Sequence, residues 1–122
     1  MSDKSVLVVD DETDIREMLR FMFTAAGFQV TTATNGEEAL TSIRQQAPGA
    51  VLLDLMMPRK TGYDVIEILR SEGQLESLPV VILTARQIEP EDRARLNGTR
   101  AIFEKGSMDV LSVVHRFSAA IA

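Results

Sequence analysis

Five polar residues stand at the ends of short apolar runs in this 122-residue chain, and their types define a chemistry before any fold is assumed. Asp10 and Asp11, with Glu12, follow the run VLVV; Asp54 follows AVLL and precedes LMMP; Thr84, with Ala85, follows VVIL; Lys105 follows AIFE. Singly each has a plain explanation. An aspartate between strand and helix is often an N-cap, a threonine suits a strand, and a lysine is commonly a solvated loop charge. Together they make a different case. Several carboxylates crowded at one edge of a low-dielectric sheet repel one another and raise their own pKa values unless a cation joins them. Oxygen donors without cysteine or a nearby histidine favour Mg²⁺ over zinc or copper, and Mg²⁺ also takes phosphate oxygens. A hydroxyl, an ammonium and a metal around one carboxylate suit phosphoryl transfer, where positioning and charge neutralisation supply most of the catalysis. Asp54 is then the nucleophile and would form an aspartyl phosphate.

Such a site requires elements that end at a common edge. The runs 6–9, 51–53 and 80–83 are too short for helices and lack polar alternation, as strands buried on both faces do. Residues 29–33 alternate more like an edge strand, and 100–103 form a fifth candidate. Between them the apolar residues follow helical spacing. Residues 13–26 carry Ile15, Met18, Leu19, Met22, Phe23 and Ala26 on one stripe, with Gly27 as the stop. Residues 37–46 carry Ala39, Leu40 and Ile43; 63–72 carry Val65, Ile66 and Leu69; 108–121 carry Val110, Leu111, Val114, Phe117 and Ile121. A charged helix is expected within 87–96. Alternating strands and helices imply a mainly parallel α/β sheet with helices on both faces. Ligands in such folds bind beyond the carboxyl ends of the strands. No linker, repeat or low-complexity tract interrupts the pattern, so residues 1–122 are expected to form one domain.

Composition narrows the function classes. A net charge of −5 works against a nucleic-acid footprint, so no direct nucleic-acid binding is expected. The absence of cysteine removes disulfides and thiolate metal sites. The start MSDKSVLVV has no secretory pattern, and no run nears the roughly 18 apolar residues of a membrane helix. No membrane segment and a cytoplasmic location are therefore expected.

The segments VLVVDDE, LLDLMMPRKTGYD, VVILTA and FEK, in that order and at these separations, resemble the receiver domain of two-component response regulators across essentially the whole chain. The resemblance implies a flavodoxin-like, doubly wound, five-stranded parallel sheet of order 2-1-3-4-5. It implies that Asp54 accepts a phosphoryl group from a phosphohistidine of a partner histidine kinase or phosphotransfer protein. Asp11 and Asp54, with the backbone carbonyl of Met56, would bind Mg²⁺, and Asp10 would hold a metal-bound water. Lys105 would pair with a phosphoryl oxygen, Thr84 would donate its hydroxyl to another, and the Ala85 N–H would add a contact. The phospho-state would then alter binding to a downstream protein or a second copy, with the domain promoting only its own phosphorylation and dephosphorylation.

Some positions depart from the family pattern. The switch aromatic three residues before the lysine is replaced by Ile102, with Phe103 beside it. Gly106 stands where a proline commonly follows the lysine, which predicts a looser Lys105. The stretch 86–98 lacks the common Gly-Ala turn, and EDRARLNG followed by EKGS looks more like receivers joined to sensor kinases. On the first helix, Phe21 lies about 130° from the centre of the apolar stripe, beside Asp14, Glu17 and Thr24. The resemblance implies that the first helix packs against the kinase helices, which makes Asp14 and Phe21 kinase-docking candidates. His115, the only histidine, is expected at the surface or rim, away from the acids. Met18, Met22, Met56 and Met57 are expected to pack in the core or a turn. A true Mg²⁺-dependent phosphotransferase or phosphatase with an aspartyl-phosphate intermediate is the competing class. It typically places a second acid where Met56 stands. A flavin carrier would require a phosphate-cradling loop in place of DDETD.

Overall fold

The computed structural model describes residues 4–85, 87–105 and 109–122. Five strands, β1 (Ser5–Val9), β2 (Gln29–Ala33), β3 (Ala50–Leu53), β4 (Val80–Thr84) and β5 (Ala101–Glu104), alternate with helices α1 (Thr13–Ala25), α2 (Gly36–Gln45), α3 (Gly62–Ser71), α4 (Pro90–Arg93) and α5 (Val110–Ile121). All strand pairs are parallel, in the order β2-β1-β3-β4-β5. β2 lies at one edge with an alternating exposed and half-buried pattern, while β1, β3 and β4 are buried throughout.

Side chains alternate across the sheet and so feed two apolar layers. Leu7, Val9, Leu53 and Ile82 pack with Leu40 of α2 and Ile66 and Leu69 of α3. Val6, Val8, Leu52 and Val81 pack with Leu19 and Phe23 of α1 and Val113 and Phe117 of α5. Phe23, Phe28 and Phe117 meet edge to face, with ring centroids 5.0–6.0 Å apart.

Helix starts follow their caps. The Asn35 side chain accepts the Glu38 N–H at 2.9 Å. Thr61 and Asp64 form a reciprocal capping box for α3, and Asp109 accepts the Ser112 N–H at 2.8 Å to open α5. Gly27, at φ +95°, ends the first helical unit in the left-handed region.

The expected fourth helix is present but short. Pro90 sets its first turn, and after four residues it tightens into a 3₁₀ turn, Ala94–Leu96. Two donations from Arg70, to the carbonyls of Arg95 (3.0 Å) and Asn97 (2.6 Å), tie that turn to α3. Two methionine expectations require correction. Met18 and Met56 are exposed, because α1 packs through Leu19 and Phe23 and leaves Met18 on its flank, and Met56 points out of the β3–α3 loop. Met57 is buried and Met22 half-buried, as expected. Ala26 is an exposed C-cap and lies outside the buried stripe. The expectations on Arg86, Gly106 and Met108, and on the side chains of Val110 and Leu111, lie outside the described residues.

Candidate functional site

The register of β1 and β3 pairs Val9 with Leu53, so the residues that follow, Asp10 and Asp54, leave the sheet side by side. Backbone bonds fix both. The Asp54 N–H donates to the Val9 carbonyl at 3.0 Å and the Asp10 N–H to the Ala33 carbonyl at 3.2 Å. Asp10 is buried and Asp54 only 4% exposed, while Asp11 is exposed beside them. One carboxylate oxygen from each of Asp10, Asp11 and Asp54 lies within 4.8 Å of the others.

The Lys105 ammonium enters this cluster from the end of β5. Its Nζ lies 3.0 Å from Asp10 Oδ2, 3.6 Å from Glu12 Oε1 and 3.9 Å from Asp54 Oδ2. Burial works against its charge, but the hydrogen bond to Asp10 and the charges of Asp54, Asp10 and Glu12 outweigh it and leave its pKa raised. At Asp54 the balance goes the other way. Burial first, and then the Asp10 charge, push its carboxyl from 3.8 to about 6, with a smaller push from Asp11. The Lys105 charge and the Met56 N–H, which donates to Asp54 Oδ1 at 3.3 Å, oppose this without cancelling it.

Three carboxylates facing one ammonium leave excess negative charge. The donors are all oxygen, and they converge within the span a single hard cation can bridge, so the residues fit a Mg²⁺ ion. Asp10 already accepts the Glu12 N–H on Oδ1 (2.9 Å) and Lys105 on Oδ2 (3.0 Å). That engagement suits the supporting part expected of it better than direct ligation. Thr84 is buried at the end of β4 with Ala85 exposed just beyond it. Thr84 and Met56 both line a cleft of about 560 Å³ between α3 and α4, together with Tyr63 and Arg95. The Arg95 guanidinium lies 4.3 Å above the Tyr63 ring and bonds Glu67 at 2.8 Å.

Residues 102 and 103 fall on opposite faces of β5. Ile102 packs against the layer of α2 and α3, whereas Phe103 is buried in the layer of α1 and α5. The phenyl ring therefore does not replace an aromatic at 102, since neighbouring strand residues point to opposite sides. Asp14 and Phe21 are exposed on α1, Phe21 at 74%. With Met22, Ala25, Val114, His115 and Ser118, Phe21 lines an apolar groove of about 500 Å³ between α1 and α5. His115 is exposed on that rim, as expected, and stands apart from the acids.

Three further residues complete the surroundings: Glu12 and Gly62, which stand in the quoted segments, and Arg16, which the spacing did not single out. Glu12 reaches Lys105. Arg16 donates from NH1 to the Asp10 carbonyl at 2.9 Å. Gly62 donates its N–H to the Leu55 carbonyl at 2.9 Å, and a Cβ there would fall 2.5 Å from the Asp54 carbonyl oxygen. An arginine six residues after the strand-ending aspartate, within the first turns of α1, is the signal that could have found Arg16.

Residues 6–114 match the family model of the response regulator receiver domain. Over 82 residues the chain is 46% identical to the probable transcriptional regulator ycf27 of Porphyra purpurea, covering 67% of this chain and 32% of that protein. The receiver domain of Francisella response regulator 1452 superposes with a TM-score of 0.85 at 27% identity, over 97% of this chain and 96% of that one. Response regulator TrrA of Thermotoga maritima, solved in complex with Mg²⁺-BeF, gives 0.80 at 28% identity, over 96% and 98%. The site and the fold thus define a receiver domain of two-component signalling, and the chain belongs to the response regulator receiver family. It spans between 31% and 40% of the length of the curated relatives it matches. Phosphorylation-controlled signalling is accordingly its function class.

Proposed function

We propose that residues 1–122 form one receiver domain in which Asp54 accepts a phosphoryl group from the phosphohistidine of a histidine kinase or phosphotransfer protein. The observation that carries this reading is the Asp54 carboxyl, buried at the end of β3 with Asp10, Asp11 and Lys105 around it. In the transfer, an Asp54 carboxylate oxygen attacks phosphorus, the P–N bond breaks, and its electron pair returns to the imidazole of the donor. Lys105 is placed to neutralise a phosphoryl oxygen once that oxygen draws it from Asp10. Thr84 Oγ and the Ala85 N–H, at the neighbouring strand end, would donate to further oxygens. Asp11, Asp54 and the Met56 carbonyl are the ligands proposed for Mg²⁺, which when bound would supply positive charge to offset that of the carboxylates and the incoming phosphoryl group. Asp10 would hold one of its waters.

The domain is proposed to act only on itself. Met56, exposed and apolar, stands where a phosphatase would keep its second acid, so no side chain there can protonate a leaving group. The phosphorylated form is proposed to change affinity for a downstream protein or a second copy, without direct nucleic-acid binding, at a net charge of −5. Among the described residues no helix is long and apolar enough to cross a membrane, which supports the cytoplasmic reading. Asp14 and Phe21 on α1 are proposed to meet the kinase.

Incubation with Mg²⁺ and a small acyl phosphate should add one phosphoryl group, measured by intact mass. Asp54→Asn should abolish it, and uptake by that variant at unchanged stoichiometry would refute the assignment.

A further inference from the structure

Every polar atom of Asp10 is engaged. Its N–H donates to Ala33, Oδ1 accepts the Glu12 N–H, Oδ2 accepts Lys105, and its carbonyl accepts Arg16 NH1 at 2.9 Å. The first three partners belong to the sheet or to the acidic cluster itself. The fourth is a half-buried side chain on α1, whose own backbone N–H bonds the Glu12 carbonyl at 2.9 Å. The α1 N-cap, Glu12, makes no side-chain capping bond, so Arg16 ties the start of this helix to the strand end. Among the described residues the arginine ion pairs are those of Arg20, Arg44 and Arg95. Arg16 instead spends its guanidinium on a backbone carbonyl.

We infer that Arg16 is a positioning residue for the divalent-cation site, acting through the Asp10–Asp11 peptide. This inference rests on the reading of Asp11 and Asp54 as metal ligands. The Asp10 carbonyl and the Asp11 N–H share one rigid peptide plane. Fixing the carbonyl therefore fixes that plane and with it the Asp11 Cα, which limits the positions the exposed Asp11 carboxylate can take beside Asp54. Asp10 is held at four points, and the backbone at Asp11 shares that anchor.

Charge and geometry make opposite predictions here, which makes the inference testable. Arg16 is a cation near a site meant for another cation, so if its charge were what mattered, removing it would tighten Mg²⁺ binding. If its hydrogen bond matters, removal loosens the peptide and weakens binding. Calorimetric titration of the unphosphorylated chain with Mg²⁺ reads the sign directly. Arg16→Met should weaken Mg²⁺ affinity about fivefold, the net worth of one ordinary hydrogen bond, because the effect reaches the metal only through the peptide. Its metal-free thermal midpoint should fall by only about 5 °C, the cost of one lost hydrogen bond, so that the titration compares folded chains. Arg16→Lys keeps one donor and the charge, and should recover part of the loss; it serves alone if the methionine variant does not fold. Affinity equal to or tighter than wild type in Arg16→Met, or in Arg16→Lys used alone, would overturn the inference. Failure of the wild type to bind Mg²⁺ would instead overturn the metal reading beneath it.

Discussion

At Asp54 the fold holds a carboxyl in surroundings that favour its proton, and this has a consequence for stability that runs opposite to most acidic residues. Its pKa rises from 3.8 to about 6 on folding, so between these values the folded chain binds more protons than the unfolded one. Stability contributed by this group is fully present below about pH 4 and is lost as pH rises through about 6. Above that, ionised Asp54 is a standing cost of roughly 1–2 kcal/mol, less than full burial would impose because the site opens to water. Asp54→Asn has no proton to lose. In metal-free buffer it should match the wild type near pH 4 and exceed it at pH 7 by roughly 5 °C in thermal midpoint. A midpoint difference that does not grow with pH would show that burial and the neighbouring acids together do not raise the Asp54 pKa. Saturating Mg²⁺ should narrow the gap, since a ligand at ten times its Kd stabilises the folded wild type by about 1.4 kcal/mol.

At the scale of elements, the β3–α3 connection decides where Asp54 sits. Gly62 opens α3 pressed against the strand end, its missing Cβ leaving the room that the Asp54 carbonyl and Leu55 occupy. Gly62→Ala forces backbone against backbone, and no flexible side chain can yield. The expected cost is about 2–3 kcal/mol, read as a lowered urea midpoint, together with reduced labelling by acyl phosphate. A variant with unchanged midpoint and labelling would show that the loop is free to shift. This glycine also marks what the sequence could and could not tell. The apolar runs announced β1, β3 and β4, and their shared direction brought Asp10, Asp54, Thr84 and Lys105 to one edge, because parallel strands must end together. Helix α4 was harder to read, since the stretch 87–96 around it has five charged residues and few apolar anchors, and its end depends on Arg70 reaching across from α3. The bond from Arg16 to Asp10 and the contact between Gly62 and Asp54 are tertiary facts that no periodicity encodes. Met18 looked like core by spacing alone, but α1 packs through Leu19 and Phe23 and leaves it exposed.

Across the whole molecule, the proposed chemistry and the proposed recognition lie on different surfaces. The acids and Lys105 stand at the strand ends, whereas the groove with Phe21 runs between α1 and α5. On the proposed docking, a small acyl phosphate needs only the first surface, and a kinase delivering a phosphohistidine would need the second as well. Phe21 is 74% exposed and contributes little to the buried layer of Leu19 and Phe23, so its truncation should leave the fold and the carboxylate cluster intact. Phe21→Ala should therefore keep the wild-type rate of labelling by acyl phosphate. Transfer from any phosphorylated histidine kinase that labels the wild type should fall about tenfold, as expected when an exposed aromatic anchor of an interface is removed. Equal loss in both assays would place Phe21 in the fold rather than the interface. Equal retention would move the docking surface elsewhere on the chain.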